Sequence, residues 1–439
     1  METEGQLKKD IGLSVAMSLV IGTVIGSGIF MKPGVVIQYA GSSNLALIAW
    51  LLGGIITIAG GLTIAEVGVQ IPKTGGLYVY MEEVYGKVWG YLCGWMQTII
   101  YGPAIIGALG LYFGLLLANI FSLSEAWYLP LGIGAVIFLA VVNSFGTKYG
   151  GSIQTITTIA KFAPILLIGV LGIWKGNEQV FSSGSPVMDQ LGMGAAILTT
   201  LFAYDGWMLL GFVAGEMKNP AKHLPLAIVG GLTVVTIVYL LVNVAMLKVL
   251  PADEIVSLGT ASAGRVAEIL MGGLGAKIIS VGILISIFGC LNGKILTFPR
   301  VPFAMAERRQ LPFSRLICKV HPKWGTPVAA IVMQVVLAVF LMVLSNPDYL
   351  SELAIFAIYM FYIMAFIAVF ILRKRRGELK REYSVPLYPL VPLAAIVGSL
   401  FVVISTLLKQ PVDSLWAIGV TLIGLPLYYF LQKRDRIEK

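Results

Sequence analysis

The chain has 439 residues, of which 58% are hydrophobic and 12% charged, with a mean hydropathy of +0.89 and a formal charge of +9. So little charge cannot cover the surface of a soluble domain of this length, and the continuously apolar runs do not alternate as barrel strands do. The basic excess sits between apolar runs, where it sets membrane orientation, so no nucleic-acid partner is expected.

Twelve spans are read in chain order, at about 11–39, 44–69, 86–117, 127–146, 152–174, 191–214, 224–247, 275–303, 326–345, 349–372, 386–408 and 413–432. The polar residues 1–10 precede an apolar run too long for a cleaved signal peptide. In span 1, "IGTVIGSGIF" (21–30) carries Gly22, Gly26 and Gly28. Gly22 and Gly26 have the small-xxx-small spacing that lets a neighbouring helix approach. The same glycines also weaken the helix enough to open its backbone. Span 2 ends at Glu66 and span 6 at Glu216, each read as a solvated end or as a partner in an inner gate.

Span 5 holds Lys161 about nine residues in, where a charge costs about 2.5–3.5 kcal/mol on insertion scales. That depth strains any escape to water, and an ammonium set among carbonyls of neighbouring helices is the expected arrangement. Such an ammonium stands where a sodium ion would sit in a coupled carrier, which predicts sodium independence. Span 6 contains "LFAYDGW" (201–207), with the turn-type pair Asp205–Gly206 deep in an apolar run. The Asp205 carboxylate is expected to cap the helix that follows. Span 7 places Tyr239 and Asn243 one turn apart, either supporting the broken helices or bonding between spans. Residues 250–273 are too polar to span and are read as an external loop with one or two short helices. Lys294 in span 8 is expected to snorkel to the inner face.

Both termini are placed in the cytoplasm, because that puts most of the 31 Lys and Arg inside. Lys32, Lys175, Lys248, Arg265, Lys277 and Lys409 then face outward. The run "RKRRGELKRE" (373–382) is a topology anchor, or an anionic-lipid patch. Cys93, Cys290 and Cys318 make no disulfide framework, and His223 and His321 have no metal-site spacing. With no nucleophile elbow, phosphate loop or paired intramembrane carboxylates, neither enzyme, cofactor nor metal is expected.

Spans 1–5 (11–174) and 6–10 (191–372) form two groups of five, so the second enters the membrane inverted. Residues 386–432 add two peripheral spans, and 433–439 form the cytoplasmic end. Inverted repeats place a substrate site at the midplane, between helices interrupted at matching positions. The breaks at Gly26–Gly28 and Ala203–Gly206 match in this way. Opened backbone there offers N–H groups at the start of one half-helix for a carboxylate, and carbonyls for an ammonium. A zwitterion of the α-amino-acid type fits both.

The motifs "IGTVIGSGIFMKPG" (21–34), "IPKTGGLYVYMEEVYG" (71–86), "LFAYDGW" (201–207), "GEMKNPAKHLPLAI" (215–228) and "FGCLNGKILTFPRVPFAMAERRQLP" (288–312) resemble the amino acid–polyamine–organocation superfamily. Within it they are similar to the L-type amino acid transporters, and most to bacterial serine/threonine exchangers. The resemblance implies an all-α, twelve-span, leucine-transporter-type fold with a 5+5 inverted repeat and discontinuous first and sixth spans. It implies that N–H groups of Gly26, Ser27 and Gly28 receive the substrate carboxylate. Carbonyls of Val24, Phe202, Ala203 and Asp205 would receive the amino group. Phe202 would be the gate, with Lys161 and Tyr239 in support. Animal relatives join a heavy chain through a cysteine between spans 3 and 4. The loop "NIFSLSEAW" (119–127) has none, so no disulfide-linked heavy chain is expected.

The function expected is sodium-independent exchange of small neutral L-amino acids such as serine, threonine or alanine, across a cell membrane. Proton-coupled uptake and amino acid/polyamine antiport are alternatives on the same fold. A non-transporting amino-acid sensor or a channel is the alternative of a different class.

Overall fold

The computed structural model describes residues 12–71, 76–181, 192–208, 219–376 and 381–437, together with Leu210 and Met217. Glu216, residues 1–10 and most of the second half of span 6 lie outside the described residues.

The described chain is helical. It begins with α1 (Leu13–Val24), α2 (Gly28–Met31) and α3 (Pro33–Ala40), which together make up the first apolar run. Then come α4 (Ser43–Gln70), α5 (Leu77–Tyr85) and α6 (Lys87–Met96). A π-helical turn (Gln97–Tyr101) leads into α7 (Gly102–Ile120). Next are α8 (Tyr128–Ser144), α9 (Thr147–Ala160), α10 (Phe162–Lys175) and α11 (Gly192–Ala203). The chain continues through α12 (Pro220–Val249), α13 (Ala252–Leu258), α14 (Ser262–Thr297), α15 (Arg300–Glu307) and α16 (Ser314–Ile317). It closes with α17 (Val328–Leu344), α18 (Pro347–Arg375), α19 (Leu390–Lys409) and α20 (Pro411–Ile437).

Among the described residues, 9 helical stretches are long and apolar enough to cross a bilayer, or 10 with the bent first run counted as one span. α11 and α17 are apolar but shorter. The chain is therefore an all-helical, multi-span membrane protein. The polar stretch 250–273 forms α13 and the first turns of α14, which bends at Gly272 (φ 75°) before entering the apolar run.

Without a hydrophobic drive between helices in lipid, close approach depends on small residues. A Cβ at Gly114 would lie 2.0 Å from the Tyr128 carbonyl oxygen, and one at Gly132 2.5 Å from that of Gly110. Those contacts fix α7 against α8. The π turn before α7 re-aims the helix and carries the buried Tyr101 toward the centre of the bundle.

Two charged residues near the ends of apolar runs are buried. Glu66, read above as a solvated end or gate partner, is fully buried and bound on both oxygens by Arg373 at 2.8 and 2.7 Å. It also accepts the Val385 N–H at 2.7 Å, tying α4, α18 and the segment before α19 together. Lys32, counted above among the outward-facing lysines, is fully buried. Burial without a partner would be prohibitive in both cases, and the partners lie hundreds of residues away, where no local pattern reveals them.

Candidate functional site

The first apolar run breaks where its helix-weakening residues are densest. α1 ends at Val24, and Ile25 turns to an extended conformation (φ −68°, ψ 103°). Helix resumes at Gly28 with Ser27 as its cap. Three residues thus separate the carbonyl end of one half-helix from the N–H end of the next. Among the described residues, no backbone–backbone bond uses the N–H of Gly26, Ser27 or Gly28. The Ser27 hydroxyl beside them is buried and has no hydrogen-bond partner among the described residues.

The second break follows α11. Its last turn runs through Phe202 and Ala203, and the chain then turns over Tyr204–Gly206, with Gly206 at φ +123°. Asp205 N–H donates to the Phe202 carbonyl at 3.2 Å. The two breaks meet. A Cβ at Gly28 would lie 2.4 Å from that of Ala203, and one at Gly206 2.8 Å from the Thr23 carbonyl oxygen. The Thr23 hydroxyl in turn reaches the Gly206 carbonyl at 3.3 Å. Gly22 and Gly26 serve packing, Gly22 against Thr158 and Gly26 against Cys290. Packing and opened backbone therefore coexist in one stretch.

Gly206→Ala adds a clash with the Thr23 carbonyl to a conformation that costs a side chain about 1–3 kcal/mol. The variant is expected to lower the Tm of the purified protein and to lose transport. An unchanged Tm would show that the contact between the breaks is not needed.

Two side chains hold the half-helix ends. Lys161, at the turn between α9 and α10, is fully buried. Its ammonium donates to the Ile25 carbonyl at 2.8 Å and to the Gly22 carbonyl. These oxygens carry the negative end of the α1 dipole, which suits a cation. The Tyr239 hydroxyl, from α12, lies 3.0 Å from the Val24 carbonyl and 2.8 Å from that of Ala203. One hydroxyl has one proton to donate, so one of the two carbonyls is left short of a donor. Trp50 and Tyr204 pack edge-on and tilted against the Tyr239 ring, at 5.5 and 5.1 Å, and fix it. The Asn243 amide bonds back to the Tyr239 carbonyl within α12 at 2.8 Å, so it stiffens its own helix and does not reach the breaks.

One expectation is corrected, and another lies outside the described residues. The helix that the Asp205 carboxylate is expected to cap is largely outside them; the carboxylate accepts from the Tyr101 hydroxyl at 2.5 Å and from the Lys294 ammonium at 2.6 Å. Lys294 does not snorkel, since its side chain is 4% exposed and that of Asp205 5%. A buried carboxylate in an apolar bundle needs a cation, and α14 delivers one. Neither Tyr101 nor the pairing itself has a sequence signal, because the partners sit on three separate helices. Phe202 is 6% exposed, with its ring 6.2 Å from that of Tyr112.

Side by side lie the N–H groups of Ser27 and Gly28 with the Ser27 hydroxyl, and the carbonyls of Val24 and Ala203 that share one hydroxyl. No group of three or more His, Cys, Asp or Glu that could hold a metal is found among the described residues.

Comparison with known proteins bears on the same region. Residues 11–430 match the model of a family described as amino acid permease. The serine/threonine exchanger SteT of Bacillus subtilis (strain 168) is 59% identical over 435 residues, covering 99% of each chain. The cystine/glutamate transporter of Homo sapiens is 31% identical, over 97% of this chain and 85% of its own. Large neutral amino acids transporter small subunit 2 of Homo sapiens is 31% identical, over 96% of this chain and 80% of its own.

Proposed function

This chain belongs to the amino acid permease family, and from that membership we propose sodium-independent exchange of small neutral L-amino acids, serine, threonine and alanine among them, across a cell membrane. It is a transporter and not an enzyme. The observation that carries the site is the buried Ser27 hydroxyl, unpartnered among the described residues, beside two N–H groups that find no backbone acceptor there, at the start of a half-helix. Orphaned donors are costly in a low-dielectric interior and suit a carboxylate.

In the proposed cycle the substrate carboxylate lies on Ser27 and Gly28, with Gly26 adjoining. The amino group lies on the carbonyls of Val24 and Ala203, with those of Phe202 and Asp205 adjoining. Tyr239 shares its proton between the two breaks until the ammonium arrives, and Phe202 covers the occupant. Lys161 occupies carbonyls that a sodium ion would otherwise need, which is why no sodium coupling is expected. Once the substrate leaves, both breaks are unsatisfied, so reorientation without cargo is slow. That difference favours exchange over net uptake. A polyamine reading would rest on Asp205 as an acidic pocket group, and its bond to Lys294 removes that support.

The finer architecture belongs to the same reading. It has twelve spans, with 11–174 and 191–372 as inverted halves, 386–432 peripheral, and 1–10 and 433–439 cytoplasmic. Function without a disulfide-linked heavy chain is part of it.

The test is uptake of labelled serine into proteoliposomes. Uptake is expected to require unlabelled serine or threonine inside and to be unaffected by replacing sodium with potassium or choline. Equal uptake into empty liposomes would reject exchange, and dependence on sodium would reject the role given to Lys161.

A further inference from the structure

We propose that Lys32 is a latch that closes the substrate site on the outer side by pairing with Asp348. Lys32 lies at the bend between α2 and α3, where the first run turns by 64° ahead of Pro33. Its ammonium donates to Asp348 Oδ1 at 2.6 Å and to the Ser351 hydroxyl at 2.8 Å, both on the first turns of α18. The Tyr112 hydroxyl, from α7, donates to the same Asp348 oxygen at 2.6 Å. The ammonium also sits 5.5 Å from the centre of the Tyr112 ring and 5.3 Å from that of Phe202. A single cation thus joins the second half of span 1, the first turns of α18, α7 and the proposed gate residue. Glu352, one turn along α18, accepts from the Thr199 hydroxyl at 3.1 Å, and Asp348 is the carboxylate bonded to Lys32.

Exposure separates this pair from the one at the core. Asp205 and Lys294 are both enclosed, and parting them would strand two charges in an apolar interior. Lys32 is 0% exposed while Asp348 is 38% exposed. Asp348 stays at the surface of the molecule whether paired or not, and the long lysine stem gives the ammonium a route outward. The pair can therefore open and re-form within a transport cycle. A buried ion pair adds little stability over a well-packed apolar one, so its use here is as a two-position contact. The inference rests on the exchange reading for the meaning of outer and inner, but its readout does not depend on cargo.

The test places a reporter at Ile355, fully buried and one turn below Ser351 on the same helix. In right-side-out vesicles, an Ile355→Cys protein is labelled from outside with a membrane-impermeant maleimide, and the protein without the reporter is the blank. Lys32→Met is expected to raise the labelling rate about tenfold, as the loss of a state-specific contact shifts the population. It should lower the external KM for serine while lowering the maximal exchange rate, and Lys32→Arg should stay near the unmodified protein. An orphaned Asp348 could by itself disturb the outer end, so Lys32→Met/Asp348→Asn is the second variant. The latch keeps labelling high in the double variant. A return to the unmodified rate would assign the effect to the stranded carboxylate and overturn the latch, as would unchanged labelling in Lys32→Met. If the unmodified protein exchanges no serine, the transport reading fails, while the labelling still judges the latch.

Discussion

Lys161→Ala is expected to cut serine exchange at least about tenfold, while leaving the rank order of competing amino acids unchanged. The ammonium is bonded to the carbonyls of Gly22 and Ile25. Leaving a buried carbonyl unpaired costs about 1–3 kcal/mol, and about 1.4 kcal/mol is a factor of ten. The cost falls on the end of α1, which must stay broken at Ile25 for the N–H groups of Ser27 and Gly28 to remain free. The two carbonyls bonded to Lys161 are not those of Val24 and Ala203 that Tyr239 bridges, so selectivity has no reason to change. Initial rates with a panel of competitors measure both quantities. Unaltered rates would reject the role, and an altered rank order would put Lys161 in contact with substrate.

Lys294→Met is expected to destabilise the protein by about 3–5 kcal/mol, since it leaves a carboxylate buried without its cation. Asp205→Asn alone should behave similarly, because an ammonium would then be stranded. The double variant Asp205→Asn/Lys294→Met should recover much of the loss, as two groups that act through one another do in a mutant cycle. The side-chain amide introduced in place of the Asp205 carboxylate would still accept from the Tyr101 hydroxyl, so part of the network survives the change. Tm in detergent, with exchange assayed in parallel, gives the four corners of the cycle. A double variant no more stable than the worse single would show that the two side chains do not act through each other.

The membrane class, the helical content and both backbone breaks were legible because they depend on local composition: apolar length, glycine density, and the Asp-Gly pair inside an apolar run. Tyr239 was legible as a support residue, but the carbonyls it bridges were not. What resisted reading was the pairing of charges. Lys32 and Lys294 look, in sequence, like charges that water or lipid headgroups can solvate, and Glu66 like either a solvated end or a gate partner whose cation is not named. Each is instead neutralised by Asp348, Arg373 or Asp205 from another helix. A charge's solvation depends on what the fold brings beside it, and span-by-span reading assumes water. Gly28 is a further case. Its Cβ would strike Ala203, so a bulky substitution there would disturb packing and backbone presentation together. It therefore cannot separate the two roles that glycine combines.

The most direct test of the two-break site is competition by serine analogues in the proteoliposome exchange assay. A site made of backbone N–H groups at one end and carbonyls at the other needs both charges of the zwitterion. Serine and threonine should compete, whereas serine methyl ester, N-acetylserine, serinol and lactate should each fail or weaken by at least about tenfold, the loss of one charge-assisted hydrogen bond. Competition by the methyl ester or by N-acetylserine as strong as that by serine would contradict recognition of the carboxylate at Ser27–Gly28 or of the ammonium at Val24 and Ala203.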